Sequence, residues 1–263
     1  MEKTSVAIIG GTGLEDLFQG TPQTRLKTPY GMVSSIVTGT VENRKVILLH
    51  RHGINHVLPP HRVNYRANVY ALHRMGVNRI LATNAVGAIN QSMKPGDIVI
   101  PSDFIDFTKT RPSTFYDKAP VTHVDVSDAY CPIMRRVLIE SARKCSVVRV
   151  WRKGVLVCTE GPRFETPAEI DLFRRLGCDV VGMTGFPEVV LARELQMCYA
   201  SICYVSNMAA GMQRRLKASE VGKMSKQTIP KVKEVLFDSV RSLSDERGAT
   251  CPCVQGLRDA RFT

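Results

Sequence analysis

Three pieces of one stretch decide how this chain folds: Cys158-Thr159-Glu160-Gly161-Pro162-Arg163-Phe164-Glu165-Thr166-Pro167, then Val180-Val181-Gly182-Met183-Thr184-Gly185-Phe186-Pro187-Glu188, then Cys203-Tyr204-Val205-Ser206-Asn207. Each is an apolar run that breaks into small or polar residues. After the first two, helix-forming sequence begins. In an α/β sheet this pattern puts functional groups at the carboxyl ends of strands, where the crevice opens and ligands bind. Edges so close together imply one shared site.

Working outward, the same grammar recurs upstream. Residues 5–9 are β-branched and apolar and end in Gly10-Gly11-Thr12-Gly13. A glycine turn after a strand lets backbone N–H groups approach an anion, and Thr12 adds a hydroxyl. The same turn also serves as a plain strand-to-helix connection into residues 14–17. It is neither G-x-G-x-x-G nor a nucleotide P-loop. Residues 33–39 and 45–50 read as strands joined by a turn at 42–44, and the second delivers Arg51-His52-Gly53. The guanidinium fork suits phosphate oxygens, and the imidazole can donate a bond or carry a proton; solvated loop residues are the alternative. Residues 79–83 form another buried strand, ending in Asn84-Ala85-Val86-Gly87-Ala88.

Helices are expected over 64–75, 133–144, 219–244, from Pro187 through Gln196, and from Pro167, where Thr166 caps and Glu169 occupies the capping-box position. Residues 104–130 carry few periodic signals and read as a long loop holding His123, a residue type that in loops is more often surface than catalytic. Together these elements predict a single α/β domain over 1–263, with residues from about 245 forming a Cys/Gly/Arg-rich tail.

Composition narrows the function. Of 263 residues, 44% are hydrophobic and 23% charged, ordinary globular values. The longest apolar runs fall far short of the ~20 residues of a membrane helix, and the N-terminus lacks a cleavage signature. The expectations are no membrane partner and a cytoplasmic location. The formal charge of +12 raises nucleic-acid binding. The basic residues are dispersed, however, with no basic helix and no zinc-finger spacing, so no nucleic-acid partner is expected. The eight cysteines are read mainly as buried small hydrophobes, and no cluster of His, Cys or Asp has ligand spacing, so no metal is expected. Cys251-Pro252-Cys253 stands apart; its one-residue spacing is wrong for the usual zinc pairs, leaving two thiols or a redox pair.

With these edges in view, the sequence resembles the trimeric purine nucleoside phosphorylase and methylthioadenosine phosphorylase family. The carriers are Gly10-Gly11-Thr12-Gly13, Arg51-His52-Gly53, Val63-Asn64-Tyr65-Arg66-Ala67-Asn68, Pro95-Gly96-Asp97-Ile98-Val99-Ile100, Glu160-Gly161-Pro162-Arg163-Phe164-Glu165 and Pro187-Glu188-Val189-Val190-Leu191-Ala192-Arg193-Glu194. The resemblance implies a central mixed sheet curling toward a barrel, flanked by helices, in a homotrimer or a dimer of trimers. It implies reversible phosphorolysis of a nucleoside N-glycosidic bond, with inorganic phosphate as co-substrate and no cofactor. Thr12, Arg51, His52, Ala85 and Thr184 match the phosphate-binding positions, Met183 the residue beneath the ribose, and Phe164 the ring facing sugar and base. His123 matches a histidine that reaches across the trimer interface into a neighbour's 5′ pocket. The Cys251-Pro252-Cys253 tail resembles the Cys-x-Cys ending of heat-stable members, which implies a disulfide.

Base choice rests on Glu165 and Asn207, the expected catalytic pair. Methylthioadenosine enzymes carry Asp at the Asn207 position and a small hydroxyl residue at that of Glu165. An amide can donate to N7 and O6, and a carboxylate accepts from N1–H, a pattern that a 6-aminopurine cannot complete. The resemblance therefore implies a 6-oxopurine substrate: S-methyl-5'-thioinosine, with inosine or guanosine also accepted. A methylthioadenosine phosphorylase is the alternative. A noncatalytic purine- or dinucleotide-binding domain would need neither Arg51-His52 nor a phosphate site, and a dinucleotide binder would want an acidic residue near Val37-Thr38-Gly39, where none stands.

Overall fold

The computed structural model describes residues 6–11, 13, 14, 17, 18, 20–147, 149–214, 218–248, 251–258, 260 and 261. Among them the strands are β1 (Val6–Gly10), β2 (Gln23–Thr28), β3 (Gly31–Val41), β4 (Arg44–His50), β5 (Arg79–Ala88), β6 (Ile98–Val99), β7 (Asp103–Phe107), β8 (Val150–Trp151), β9 (Val155–Thr159), β10 (Val180–Gly182) and β11 (Cys198–Met208). The helices are α1 (Tyr65–Arg74), α2 (Pro132–Lys144), α3 (Pro167–Arg175), α4 (Glu188–Glu194) and α5 (Ala218–Ser242).

All strands join one mixed sheet, in the order β2-β3-β4-β1-β5-β10-β9-β7, with β11 on the free flank of β5 and β6 and β8 beyond it. β1 shows why helices cover both faces. Its side chains alternate, Val6 and Ile8 entering the core beneath α2 and α5 while Ala7 and Ile9 enter the core beneath α1 and α4. A strand buried on both faces must be apolar throughout, which is how residues 6–9 read.

β5 carries the organisation. Its residues Arg79–Ala82 pair in parallel with β1, while Gly87 and Ala88 pair antiparallel with β10. Between Ala82 and Gly87 that edge changes partner, because β1 stops at Gly10 and the antiparallel β10 ends at Gly182. Thr83, Asn84, Ala85 and Val86 therefore border a gap in the sheet. β11 runs the whole length of β5 on the other side and pairs with it across the gap.

Several elements differ from the sequence-based expectation. The segment 104–130 begins with β7, and β2 lies outside any predicted strand; both are half-exposed, so they lack a continuous apolar run. β5 extends through Ala88, and β11 through Met208 with a register shift between Val205 and Asn207. Ser206 is thus an extra residue in the strand, which re-aims Asn207. The helix starts hold: Asn64 caps α1 by accepting from the Ala67 N–H at 3.0 Å, and Thr166 and Glu169 form the reciprocal capping box of α3. No helix among the described residues is long and apolar enough to cross a membrane.

The tail is docked. Arg44 and Arg79 bind the carbonyls of residues 243 and 244, and Gln196 bonds the Val254 carbonyl. All eight cysteines are free thiols, so the implied Cys251–Cys253 disulfide is absent here. Sequence spacing also missed a convergence: Cys131, Cys198, Cys251 and Cys253 come together from three distant segments. Ligand-spacing rules see only neighbours in sequence, so the expectation of no ligand cluster is corrected.

Candidate active site

The gap beside β5 opens into a cavity that the chain reaches from five strand ends. β4 supplies Arg51 and His52, and β5 supplies Ala85. The residues after β9 supply Phe164 and Glu165, those after β10 supply Met183 and Thr184, and β11 supplies Asn207. These eight expected site residues line one cavity. Thr12 lies outside the described residues. His123 does not line the cavity; it is exposed, and its N–H donates to the Ala260 carbonyl at 2.8 Å.

Arg51 is 1% exposed, a buried cation that must be paired. Its Nε and Nη2 donate to the two carboxylate oxygens of Glu188 at 2.5 and 2.9 Å, and its Nη1 donates to the Thr83 carbonyl at 2.8 Å. Tyr199 donates its hydroxyl to Glu188 Oε2 at 2.9 Å. Burial works against the charge on Arg51, and the Glu188 carboxylate more than offsets it, so the guanidinium stays protonated more firmly than usual. Three of its five N–H groups are committed, leaving two for a ligand. Glu188 had no assigned role in the sequence. An acid in the first turn of a helix reads as a dipole preference, and only its flanking apolar residues hinted at burial.

His52 is held neutral. Burial, then the adjacent Arg51 charge and His56, lower its pKa to about 3. Its Nδ1 lies 2.8 Å from the Leu58 carbonyl, which can only accept, so Nδ1 carries the proton and Nε2 does not. An uncharged imidazole with a bare Nε2 accepts rather than donates, a refinement of the donor role expected from sequence.

Thr184 donates its hydroxyl to Asn84 Oδ1 at 2.7 Å, and Asn84 Nδ2 donates to Ser201 at 2.5 Å. This chain ties β10's end to β5 and β11 across the gap. Gly11 donates its N–H to the Thr83 hydroxyl at 3.0 Å, fixing the glycine turn against the same strand.

On the other side, Glu165 accepts from the Thr159 hydroxyl at 2.7 Å. Burial raises its pKa, with the Thr159 bond opposing that rise. Asn207 Oδ1 accepts from Ser206 Oγ at 2.6 Å, and Nδ2 donates to the Met208 carbonyl at 2.8 Å. The bulge residue thus orients the amide, leaving one Nδ2 hydrogen and one Oδ1 lone pair uncommitted. Donation to both N7 and O6 therefore requires release of the Met208 carbonyl. Gly87 permits this approach: a Cβ there would lie 3.2 Å from Asn207 Nδ2.

Sequence reasoning also missed Arg111, inside the segment read as loop. Its guanidinium binds the Tyr65 hydroxyl and the carbonyls of Thr159, Glu160 and Phe186, at 2.7 to 3.1 Å. It thereby clamps the end of β9 to the entrance of α4, and so sets where Phe164 and Glu165 begin.

Comparison with known proteins identifies the family of the chain. The family model described as the phosphorylase superfamily matches residues 5–241. A probable S-methyl-5'-thioinosine phosphorylase of Methanopyrus kandleri is 51% identical over 98% of this chain and 99% of its own length. A 6-oxopurine nucleoside phosphorylase of Pyrococcus furiosus is 46% identical over 97% of this chain and 98% of its own. Among solved structures, methylthioadenosine phosphorylase from Schistosoma mansoni in complex with adenine superposes with a TM-score of 0.90 at 32% identity, covering 98% of this chain and 99% of that one. With a match of that extent and an α/β framework shared throughout, the chain belongs to the phosphorylase superfamily.

Proposed function

We propose that the protein catalyses reversible phosphorolysis of 6-oxopurine nucleosides, S-methyl-5'-thioinosine first among them, giving the free purine and 5-methylthioribose 1-phosphate. Inosine and guanosine fall within the same class. The observation that carries the reading is that Glu165 and Asn207 share one cavity with Arg51, His52 and Thr184. The Thr83 carbonyl that meets Arg51 and the Gly87 backbone that meets Asn207 are four residues apart along β5, about 13 Å. Phosphate, ribose and purine laid end to end fit that span.

The chemistry follows from the charges. A phosphate oxygen attacks C1′ as the C1′–N9 bond breaks, and the bond's electron pair goes to the purine. Positive charge develops on the ribose and negative charge on the base, so donors placed where that charge appears lower the barrier. The two uncommitted N–H groups of Arg51, the backbone at Ala85, and Thr12 hold the phosphate, and Thr184 joins them by turning its hydroxyl from Asn84 Oδ1 to a phosphate oxygen. Neutral His52 accepts from a protonated phosphate oxygen. The free Nδ2 hydrogen of Asn207 donates to the N7/O6 edge of the leaving base, and ionised Glu165 accepts from N1–H. Met183 lies beneath the ribose, and Phe164 covers sugar and base. His123, exposed and away from its own chain's cavity, serves the 5′ end of a neighbouring subunit's site in a trimer or a dimer of trimers.

The test is hypoxanthine release from S-methyl-5'-thioinosine with and without phosphate, alongside methylthioadenosine. The expected result is strict phosphate dependence with methylthioadenosine nearly inert. Preference for methylthioadenosine would overturn the base assignment, and release without phosphate would make the protein a hydrolase.

A further inference from the structure

Cys131 is the N-cap residue of α2, Cys198 opens β11, and Cys251 and Cys253 flank Pro252 at the start of a 3-10 turn (Pro252–Gln255). All four are buried, none more than 2% exposed. Their sulfurs lie within 4.8 Å of one another, with Cys198–Cys251 at 3.5 Å and Cys131–Cys251 at 3.8 Å. We propose that these four cysteines form a structural zinc site that locks the C-terminal tail to the sheet.

The geometry is that of a tetrathiolate. Zinc–sulfur bonds of about 2.3 Å in a tetrahedron put the sulfurs about 3.8 Å apart. The observed separations bracket that edge and exceed the ~2.05 Å of a disulfide. Simple packing of small apolar residues would turn the sulfurs toward aliphatic neighbours, which this core supplies in abundance. Here they converge on one another. The one-residue spacing that looked wrong in the sequence works because the chain turns between the two residues: Cys251 is the extended N-cap (φ −66°, ψ 123°) and Cys253 lies in the 3-10 turn that follows.

The charge is also provided for. Loading the site releases four thiol protons, and four thiolates around Zn²⁺ leave two net negative charges in the interior. Arg79, 3% exposed, is the β5 residue paired opposite Cys198. Arg193, 4% exposed, lies against Gly256 with its Nη1 lacking a hydrogen-bond partner. Cys131 stands at the positive end of α2. A closed four-ligand site offers no open position for substrate, so its role is structural. The locked tail continues to Ala260 and Arg261, which pair with His123 and Thr122, so the metal also steadies the loop that carries His123.

The experiment needs only the wild-type chain, purified under reducing conditions without added metal. Elemental analysis should find about one zinc per chain. Exchange with Co²⁺ should give a sulfur-to-cobalt charge-transfer band and the visible bands of a tetrahedral centre. The Cys251→Ser/Cys253→Ser double variant should lose the metal and the cobalt spectrum and unfold at a lower temperature. A folded wild-type chain that holds no zinc and takes up no Co²⁺ would overturn the proposal, as would an intact mass lacking cysteine hydrogens, which marks disulfides instead.

Discussion

Replacing Glu188 with glutamine isolates what the buried Arg51 pair contributes. Arg51 and Glu188 are 1% and 0% exposed and share two charged bonds, with Tyr199 making a third to the carboxylate. The amide keeps the shape but turns an NH₂ toward one of three donors, and it leaves the guanidinium charge uncompensated. Removing one member of a buried ion pair costs about 3–5 kcal/mol. At about 2.1 cal/mol/K per residue, 263 residues have an unfolding entropy of about 0.55 kcal/mol/K, so Tm should fall by about 5–9 °C. Phosphate supplies a second readout. A ligand at 100 times its Kd stabilises by about 2.7 kcal/mol, about 5 °C here. The variant, holding an unneutralised cation at the phosphate end, should gain more from a given phosphate concentration than the wild type gains. Scanning calorimetry of both chains, at equal protein concentration with and without phosphate, measures both effects. A Tm within about 1 °C of the wild type, with equal phosphate increments, would refute the account of Arg51 as a paired cation facing an anion site.

Asn207→Asp should shift the ratio of kcat/KM toward 6-aminopurine nucleosides by tenfold or more, roughly the value of one buried hydrogen bond; an unchanged ratio counts against its role as base reader. Because burial raises the Glu165 pKa and the carboxylate is the form that accepts N1–H, kcat/KM should rise with pH through a midpoint above the ordinary carboxylate value, and Glu165→Gln should remove that limb. The matching stability effect has the opposite sign, since ionising a carboxyl whose folded pKa is raised costs stability as pH climbs through it. Gly87→Ala should cost about 10- to 100-fold in kcat/KM with a small change in Tm, because the added Cβ presses on Asn207 Nδ2 at 3.2 Å and on Val181 at 3.3 Å. Steady-state kinetics alongside thermal melts separate that result from simple unfolding.

The sequence made visible whatever is written in contiguous residues. Strand ends, caps and the Arg51-His52 pair are each read within a few positions, and eight of the ten expected site residues line the cavity. What escaped is tertiary. Glu188 becomes the partner of Arg51 only when α4 packs beside β4's end, Arg111 becomes a clamp only when its segment crosses β9, and the Ser206 bulge exists only relative to β5. The half-exposed β2 and β7 have too few apolar residues for periodicity to register. The four cysteines converge from positions 131, 198, 251 and 253, a distance no local pattern spans.

The change of partner along β5 has a consequence for how such a molecule can diversify. Arg51 and His52 hang from the strand that flanks β1, whereas Glu165 follows β9, a neighbour of β10, and Asn207 sits on β11 opposite Gly87. In the proposed function, Arg51 and His52 thus hang from a different part of the sheet than the base-facing Glu165 and Asn207, with Ala85 and Thr184 completing the phosphate site between them. Under that reading, substitutions at Glu165 or Asn207 leave the Arg51–Glu188 pair untouched. Mutational drift could then vary the base-facing side chains while the buried Arg51–Glu188 pair is inherited whole.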